Sequence, residues 1–397
     1  MITSLQVNGF KSLEDFNIAF TKGLNVIIGP NGVGKTNICQ AFNLLSSIPN
    51  NNVKETLYSL GGAAAVFSKQ STNKRVINII AQGQINTSFK SKKVECFNLK
   101  YKYEINIKLM RNHRLDINEN LFIERKIESD FIPIISVTHS GNKLRYEILS
   151  KEYIGDFQIS EQKLSLRVDN GENLWGLMPR ISFVCHAVGR DIFRIKSINI
   201  DPYIAREACD IVEPNRMASN GRYLANALYA ISKDKELFDE INSIINDSLT
   251  CKGVIKPEIS NILLKSFFTL VSEDGIKIPS NCLSDGTIKL LGLLVGIINQ
   301  EHYTMIIEEP ENYLHPRVDR VIIDFLRETF DEGVCILTSH SETILNLLNP
   351  RELIVCSNNN GKTVCKRLEN AQRVLESIVD SGFGCGYHYV AGNLSEL

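Results

Sequence analysis

The stretch GPNGVGKT, Gly29 to Thr36, joins two segments of different periodicity. The apolar run Leu24–Ile28 before it is typical of a buried strand, and apolar residues three and four apart from Ile38 to Leu45 predict a helix after it. Glycines in such a loop let the backbone wrap around a phosphate, and the helix start adds a positive dipole. The spacing G-x-x-x-x-G-K-[ST] between a strand and a helix therefore predicts a phosphate-binding P-loop.

The residue types of the P-loop suit a magnesium nucleotide. We expect Lys35 to bridge the β- and γ-phosphates of ATP, and the hydroxyl of Thr36 to ligate Mg²⁺. The full set of expected cofactor contacts from this region is Asn31, Gly32, Val33, Gly34, Lys35, Thr36 and Asn37.

A second stretch, TMIIEEPEN at residues 304–312, supplies carboxylates. Met305–Ile307 is typical of the end of a buried strand, and Glu308 and Glu309 follow it without a turn. A carboxylate at such a position needs a partner, because burying an unpaired polar group costs about 2–7 kcal/mol. We expect Glu308 to hold Mg²⁺ through a water, and Glu309 to orient or deprotonate the attacking water. The chain is therefore predicted to hydrolyse ATP to ADP and phosphate.

Two further segments have features of a phosphate site. LSDGT at residues 283–287, the signature segment, precedes a helix, with Ser284 and Asp285 as candidate caps and Gly286 leaving the backbone open. A second anion-binding helix start suggests a γ-phosphate contact distinct from the P-loop. LTSHSE at residues 337–342 places His340 just past a strand, where it could sense the γ-phosphate as a catalytic residue.

The order of these four motifs resembles the ABC-type ATPase heads of the RecF, OLD and SMC families. Most closely it resembles the stand-alone AAA-type ATPases of bacterial anti-phage defence operons, of the Septu- or retron-associated type. The segments that carry the resemblance, besides the P-loop, are VNGFKSLEDFNIAF (7–20), LSDGTIKLLGLL (283–294), EEPENYLHP (308–316) and GFGCGYHYVAGNL (382–394).

The resemblance implies an α/β P-loop NTPase of the ABC-ATPase head type, with a mixed sheet core, an antiparallel β-rich lobe and a helical insert. Residues 75–170 alternate with period two, residues 203–250 have helical periodicity, and strands alternate with helices from residue 283. We therefore divide the chain into the N-terminal part of the ATPase head with the P-loop and β-rich lobe (1–200), a helical insert (201–282), and the C-terminal part of the head (283–397).

The resemblance also implies a composite site, in which the signature segment of one subunit closes over the ATP bound to another. Ser284 and Gly286 would then contact the γ-phosphate in trans, with Asn312 in the loop that links the two sites and Lys11 near the nucleotide.

Two positions depart from the pattern of the resemblance or leave it open. Glu308-Glu309 stands where many ABC heads carry Asp-Glu, although the longer side chain still reaches Mg²⁺. The glutamine that usually links the two lobes has only Gln82 and Gln84 as candidates.

Three classes of relative are disfavoured by what the chain lacks. No heptad pattern is long enough for an SMC-type coiled coil, and residues 341–397 are too few for the TOPRIM domain of OLD nucleases. The β-rich insertion also argues against a transporter subunit.

We expect a dimeric or higher-order ATP-driven switch that controls a separate effector, a nuclease in anti-phage defence. The alternatives are a RecF-like DNA-repair clamp that binds DNA directly, and a nucleotide-binding regulatory scaffold with negligible turnover.

Composition sets broad limits on partners and location. The formal net charge is −1, so any DNA contact needs a local patch, for which the candidates are Lys90, Lys92, Lys93, Lys100 and Lys102. A solvated strand face is the plain alternative for these lysines.

The longest apolar run, residues 290–298, is too short to span a bilayer, so we expect a cytoplasmic chain without membrane contact. The ten scattered cysteines are expected to be buried thiols in a reducing compartment.

Overall fold

Six strands form the central sheet of the chain, for which a computed structural model describes residues 1–48, 53–90, 94–153, 163–167, 174–176, 182–211, 216–248, 252–298, 304–368 and 370–391. In sheet order these strands are β10 (Lys196–Ile198), β15 (Thr304–Glu308), β16 (Val334–Ser339), β3 (Gly23–Ile28), β17 (Leu353–Asn359) and β18 (Lys362–Arg367). The first five run parallel, and β18 is antiparallel to β17. The predicted mixed sheet of a P-loop ATPase head is confirmed.

Helices and a second sheet cover the two faces of the central sheet. Its flanking helices are α1 (Lys35–Ser47), α2 (Val53–Ser59), α3 (Ala63–Val66), α4 (Phe183–Phe193), α8 (Asp285–Ile298), α9 (Pro316–Thr329), α10 (Glu342–Leu347), α11 (Ala371–Ser381) and α12 (Cys385–Val390). Because side chains alternate along a strand, Ile27 and Ile306 join the core that contains α1, whereas Val26 and Ile307 join the core that contains α8 and α9.

The β-rich lobe is an eight-stranded antiparallel sheet. Its strands, in the order β2-β1-β4-β5-β6-β7-β8-β9, are β1 (Ile2–Asn8), β2 (Phe16–Ala19), β4 (Val76–Lys90), β5 (Val94–Leu109), β6 (Leu115–Ile127), β7 (Asp130–Ser140), β8 (Lys143–Ile148) and β9 (Lys163–Arg167). Tyr101 and Tyr103 are buried while Lys100 and Lys102 are exposed, which is the alternation that predicted this sheet.

The segment 201–282 is helical only in its first part. It contains α5 (Pro202–Ala205), α6 (Leu224–Ile231) and α7 (Lys235–Ser248), together with a sheet of β11 (Cys209–Asp210), β12 (Gly253–Ser260), β13 (Lys265–Ser272) and β14 (Lys277–Pro279). The description of this segment as a helical insert is therefore wrong beyond residue 248. The β-branched and aromatic residues of β12 and β13 favour strands, and pairing between the two satisfies their backbones.

Two cysteines are joined across the last strand pair of the central sheet. Cys356 of β17 lies directly opposite Cys365 of β18, and the two form a disulfide. The expectation of a buried thiol at Cys356 is wrong for this pair, because antiparallel pairing brings the two side chains together. Cys96 and Cys282 depart from the expectation in another way, since both are exposed free thiols.

The proposed basic patch is only partly within the described residues. Lys92 and Lys93 lie outside them, as does the side chain of Lys90. Lys100 lies opposite Glu124 in the strand register, and its ammonium is 5.7 Å from the ring centre of Phe131. These neighbours of Lys100 favour a solvated strand face over a DNA contact at that residue. Within the described ranges, no helix is long and apolar enough to cross a membrane.

Candidate nucleotide site

The P-loop occupies the turn from β3 into α1, at the carboxyl edge of the central sheet. Gly32 and Gly34 have φ angles of +82° and +104°, which favour glycine. A Cβ on Gly34 would also collide with the hydroxyl of Thr363. The loop therefore needs its glycines for backbone shape and for close packing, and it forms the cradle that a phosphate requires.

Lys35 is buried inside the P-loop. Its Nζ donates hydrogen bonds to the carbonyl oxygens of Gly29 at 2.6 Å and Pro30 at 3.2 Å. Burial lowers the pKa of Lys35, and the charges of Glu309 and Glu311 oppose that shift. The ammonium thus lies within electrostatic reach of the acids that follow β15.

A chain of hydrogen bonds supports the P-loop from behind. Asn37 Nδ2 donates to Ser12 Oγ at 2.7 Å, Ser12 Oγ lies 2.6 Å from Thr363 Oγ1, and Thr363 Oγ1 donates to the Val33 carbonyl at 2.7 Å. Sequence reasoning missed Ser12 and Thr363, since nothing near Thr363 in the sequence indicates contact with a loop 330 residues away. Asn37 therefore acts on the loop through Ser12.

Lys11 lies beside the P-loop helix. Its Nζ donates to Gln40 Oε1 of α1 at 2.6 Å, and burial lowers its pKa. The residue has a φ of +51°. Lys11 is therefore fixed against α1 by Gln40, and its contact with the nucleotide stays a prediction.

Glu308 and Glu309 lie at the carboxyl end of β15, which β16 separates from the P-loop strand β3. Burial, and then the charge of Glu309, raises the pKa of Glu308 to about 7, while the Lys289 ammonium opposes the shift. A cation at this carboxyl would offset its burial, so Glu308 and the exposed hydroxyl of Thr36 suit Mg²⁺ chemically.

The carboxylate of Glu309 is held in a fixed direction. Asn312 Nδ2 donates to Glu309 Oε2 at 2.8 Å, and the Glu309 amide donates to the Thr338 carbonyl at 3.0 Å. His340 Nδ1 lies 3.7 Å from Glu309 Oε1. The structure therefore brings together the two residues that the sequence predicted to be catalytic, and gives Asn312 a contact within its own chain.

Glu311 is a site residue that sequence reasoning missed. Its Oε1 accepts hydrogen bonds from Ser339 Oγ at 2.7 Å and from the His340 amide at 3.2 Å, and it lies 3.7 Å from His340 Nδ1. Its Oε2 is buried without a hydrogen-bond partner in the described part of the chain. The third acid of EEPEN was available as a signal, but nothing near it in the sequence indicates contact with Ser339 and His340. In the fold it fixes the backbone that carries His340.

The signature segment starts α8 away from the P-loop. Ser284 Oγ accepts from the Thr287 amide at 3.2 Å, so of the two candidate caps Ser284 caps the helix, whereas Asp285 is its first residue. A Cβ on Gly286 would lie 2.7 Å from the carbonyl oxygen of Tyr313, so this glycine is needed within its own chain as well. Both residues line an open cavity of about 670 Å³ with Tyr313 and Arg317.

Lys289 connects the signature helix with the acids. It is 1% exposed, and its Nζ donates to the Ile200 carbonyl at 3.2 Å. Burial lowers its pKa to about 8, and the charges of Glu311, Glu309, Asp201 and Glu308 oppose the shift, in that order. A buried ammonium thus balances part of the negative charge of the site, a role that its helical position alone did not reveal.

The glutamine candidates do not meet the P-loop. Gln84 lines a cavity with Lys22 and Glu332, at the amino edge of the central sheet. Gln82 lies opposite Ser4 of β1. The Ile2 amide at the start of β1 donates to Thr304 Oγ1 at the first residue of β15, so Gln82 also lies towards the amino edge of the central sheet. Both candidates for the lobe-linking glutamine are therefore wrong.

Comparisons with known proteins agree with this geometry. Residues 1–345 match the family model described as "AAA ATPase domain". The chain is similar to the "ATP/GTP phosphatase" of Helicobacter pylori (strain ATCC 700392 / 26695), with 22% identity over 360 residues that cover 88% of each chain.

Two solved structures share the fold at low identity. The SmcHead bound to the C-winged helix domain of ScpA has 14% identity and a TM-score of 0.54, covering 93% of this chain and 99% of that one. The Smc head domain with an extended coiled coil, bound to the C-terminal domain of ScpA derived from Pyrococcus furiosus, has 13% identity and a TM-score of 0.50, covering 95% and 99%. These similarities show an SMC-head-like fold.

Proposed function

The chain belongs to the AAA ATPase domain family and is an ATPase, and we propose that it is a dimeric switch through which ATP controls a separate effector protein. The dimer is inferred from the separation, within one chain, of the two parts that would contact a nucleotide: the P-loop and the signature segment. Ser284 and Gly286 line a cavity with Tyr313, Arg317 and Val321, and no residue of the P-loop is among those that line it. A second copy would supply the missing half of each site.

The residues of one P-loop and its acids divide the hydrolysis between them. Lys35 would bind the terminal phosphates, and Thr36 and Glu308 would hold a Mg²⁺ ion, which would offset the charge of the phosphates. Glu309 accepts a proton from the attacking water as the water oxygen bonds to the γ-phosphorus and the bridging oxygen leaves with ADP. Asn312 and His340 keep the Glu309 carboxylate pointing at that water.

An exposed hairpin tip supports the effector part of the proposal. Ile262, Leu263 and Leu264, between β12 and β13, are 95%, 69% and 66% exposed. Leu264 also has a φ of +49°, which is unusual for a bulky residue. Consecutive apolar side chains in solvent are typical of contact surfaces. That the effector is a nuclease in bacterial anti-phage defence follows from the motif resemblance alone.

Glu309→Gln tests the switch. We expect ATP binding to be kept, turnover to fall by roughly 10²–10⁴-fold, and ATP to double the mass measured by light scattering. Glu328→Gln, an exposed change on α9, is the matched control and should behave as the wild type. Unchanged turnover in Glu309→Gln would show that another group is the base. A monomeric mass with ATP bound would contradict the dimer.

The effector needs a separate measurement. The product of a neighbouring gene should co-purify with the wild-type chain, and less well with a chain that carries Leu263→Asp. Purification of the chain alone from its native operon would contradict effector control. Retention of duplex DNA at low salt in that case would favour the DNA-repair clamp instead.

A further inference from the structure

The cavity beside the signature segment contains one strong cation. Its lining comprises Asp247, Ser248, Ser284, Gly286, Thr287, Tyr313, Leu314, His315, Arg317, Val318 and Val321. Among the residues that the structure describes, Arg317 is the one arginine or lysine in that lining. It is exposed in the first turn of α9, and its guanidinium has no hydrogen bond or ion pair with any described residue.

Other charged groups near this cavity are already engaged or point to a different role. Asp285 at the start of α8 forms an ion pair with Arg206, so its charge is neutralised within the chain. The side chain of His315 caps α9 by accepting from the Arg317 amide at 3.2 Å. Asp247, at the carboxyl end of α7, also lines the cavity and is exposed, so it supplies a negative charge there and no donor to an anion. An anion that enters the cavity would therefore meet Arg317 as its available partner.

We propose that Arg317 contacts the triphosphate of the ATP bound to the P-loop of a second copy of this chain. This inference rests on the proposed dimer, because it requires the cavity to close over a nucleotide from outside. Guanidinium donates in a planar fork that matches phosphate oxygens. Within its own site the chain offers Lys35 to the phosphates, and a second cation supplied in trans would complete the charge balance.

Arg317 would assist the phosphoryl transfer by electrostatic stabilisation and would form no covalent bond in it. The γ-phosphorus bonds to the water oxygen, its bond to the bridging oxygen breaks, and the proton of the water goes to Glu309. Arg317 gives up no proton, and it stabilises the charge that develops on the bridging and γ-phosphate oxygens. A guanidinium supplied in this way is worth about 10³–10⁵-fold in turnover in related chemistry.

Mixing two inactive variants tests whether Arg317 works in trans. Arg317→Ala alone should bind ATP within about threefold of the wild type and lose at least roughly 10³-fold in turnover. Lys35→Ala alone should not bind ATP. In a mixed dimer, the intact P-loop of the Arg317→Ala chain faces the intact Arg317 of the Lys35→Ala chain. An equal mixture should regain up to about a quarter of wild-type turnover, since half of the dimers are mixed and half of their sites are complete.

Controls separate this inference from the dimer itself. Arg320→Ala changes an exposed arginine of the same helix outside the cavity and should keep wild-type turnover. A mixture of Lys35→Ala with Ser284→Ala tests the dimer without Arg317. Recovery in that mixture but not with Arg317→Ala would overturn the role of Arg317 and leave the dimer standing. Failure of both mixtures would overturn both, and full turnover of Arg317→Ala alone would overturn the contact.

Discussion

Replacing Asp319 by asparagine should stabilise the folded chain at neutral pH, with a gain that shrinks as the pH falls. Asp319 lies in α9 and is 4% exposed, and its Oδ1 has no hydrogen-bond partner among the residues that the structure describes. Burial, and then the charge of Glu311, raises its pKa from 3.8 to about 7. Ionising Asp319 in the folded chain is therefore unfavourable, and asparagine has no charge to bury.

The sign follows from proton uptake. A carboxyl whose pKa is raised by folding binds more protons in the folded state, so the free energy of unfolding falls as the pH rises through the shifted range. The penalty begins near pH 3.8 and is complete above about pH 7. At about 1.4 kcal/mol for each unit, the shift of about three units corresponds to roughly 4 kcal/mol at pH 8, as an upper limit.

Thermal unfolding without nucleotide at pH 5, 6, 7 and 8 measures this penalty. An unfolding entropy of about 2.1 cal/mol/K per residue gives roughly 0.8 kcal/mol/K for a chain of this length. Asp319→Asn should therefore raise Tm by up to about 5 °C at pH 8 and by about 2 °C at pH 5. Glu311→Gln should reduce the pH dependence in the wild-type background, because it removes the charge that opposes ionisation of Asp319.

Asp324→Asn is the matched control for this series. Asp324 lies on the same helix, its side chain is 58% exposed, and it lies 3.6 Å from Arg327. We expect its Tm to stay within about 1 °C of the wild type at every pH. A gain for Asp319→Asn that is the same at pH 5 and pH 8, or a loss at pH 8, would refute the reasoning.

Two further predictions concern the P-loop. Lys35→Ala should abolish ATP binding measured with a fluorescent analogue, and binding within about threefold of the wild type would contradict the phosphate site. Thr363→Val removes the hydroxyl that donates to the Val33 carbonyl, which leaves a buried acceptor unpaired at a cost of about 1–3 kcal/mol. We expect roughly a tenfold weaker ATP affinity, and none of this loss for Thr329→Val, whose exposed hydroxyl bonds within its own helix. Equal affinities of Thr363→Val and the wild type would mean that the loop holds its shape without this support.

The P-loop and the strands of the central sheet could be predicted from sequence because their signals are local. Gly29–Thr36 needs only its own spacing and the flanking periodicity, and Met305–Ile307 needs only its apolar run. Both signals lie within about a dozen residues, where backbone preference and burial act together. The segment 253–279 has equally local strand residues, and its description as helical failed because the helical periodicity of residues 203–250 was applied to the whole segment 201–282.

The supports of the site were beyond prediction for a different physical reason. Ser12 and Thr363 meet through hydrogen bonds between positions 351 residues apart, and only the folded sheet brings them together. Glu311 follows a proline in a loop, where an acid is usually solvated, yet Ser339 and His340 draw it into a buried position. Cys356 and Cys365 likewise meet only through strand register.

The fold also decides which substitutions can report on the two halves of the site. Gly286 is a poor probe of a contact in trans, because the carbonyl of Tyr313 packs against it within the same chain. Lys289 is equally ambiguous, since it lies on the signature helix and balances the acids of its own P-loop site. Arg317 is exposed on the cavity and its guanidinium has no partner among the described residues, so a defect in Arg317→Ala, with ATP binding intact, isolates the contribution of the second chain, whereas Ser284 also caps its own helix.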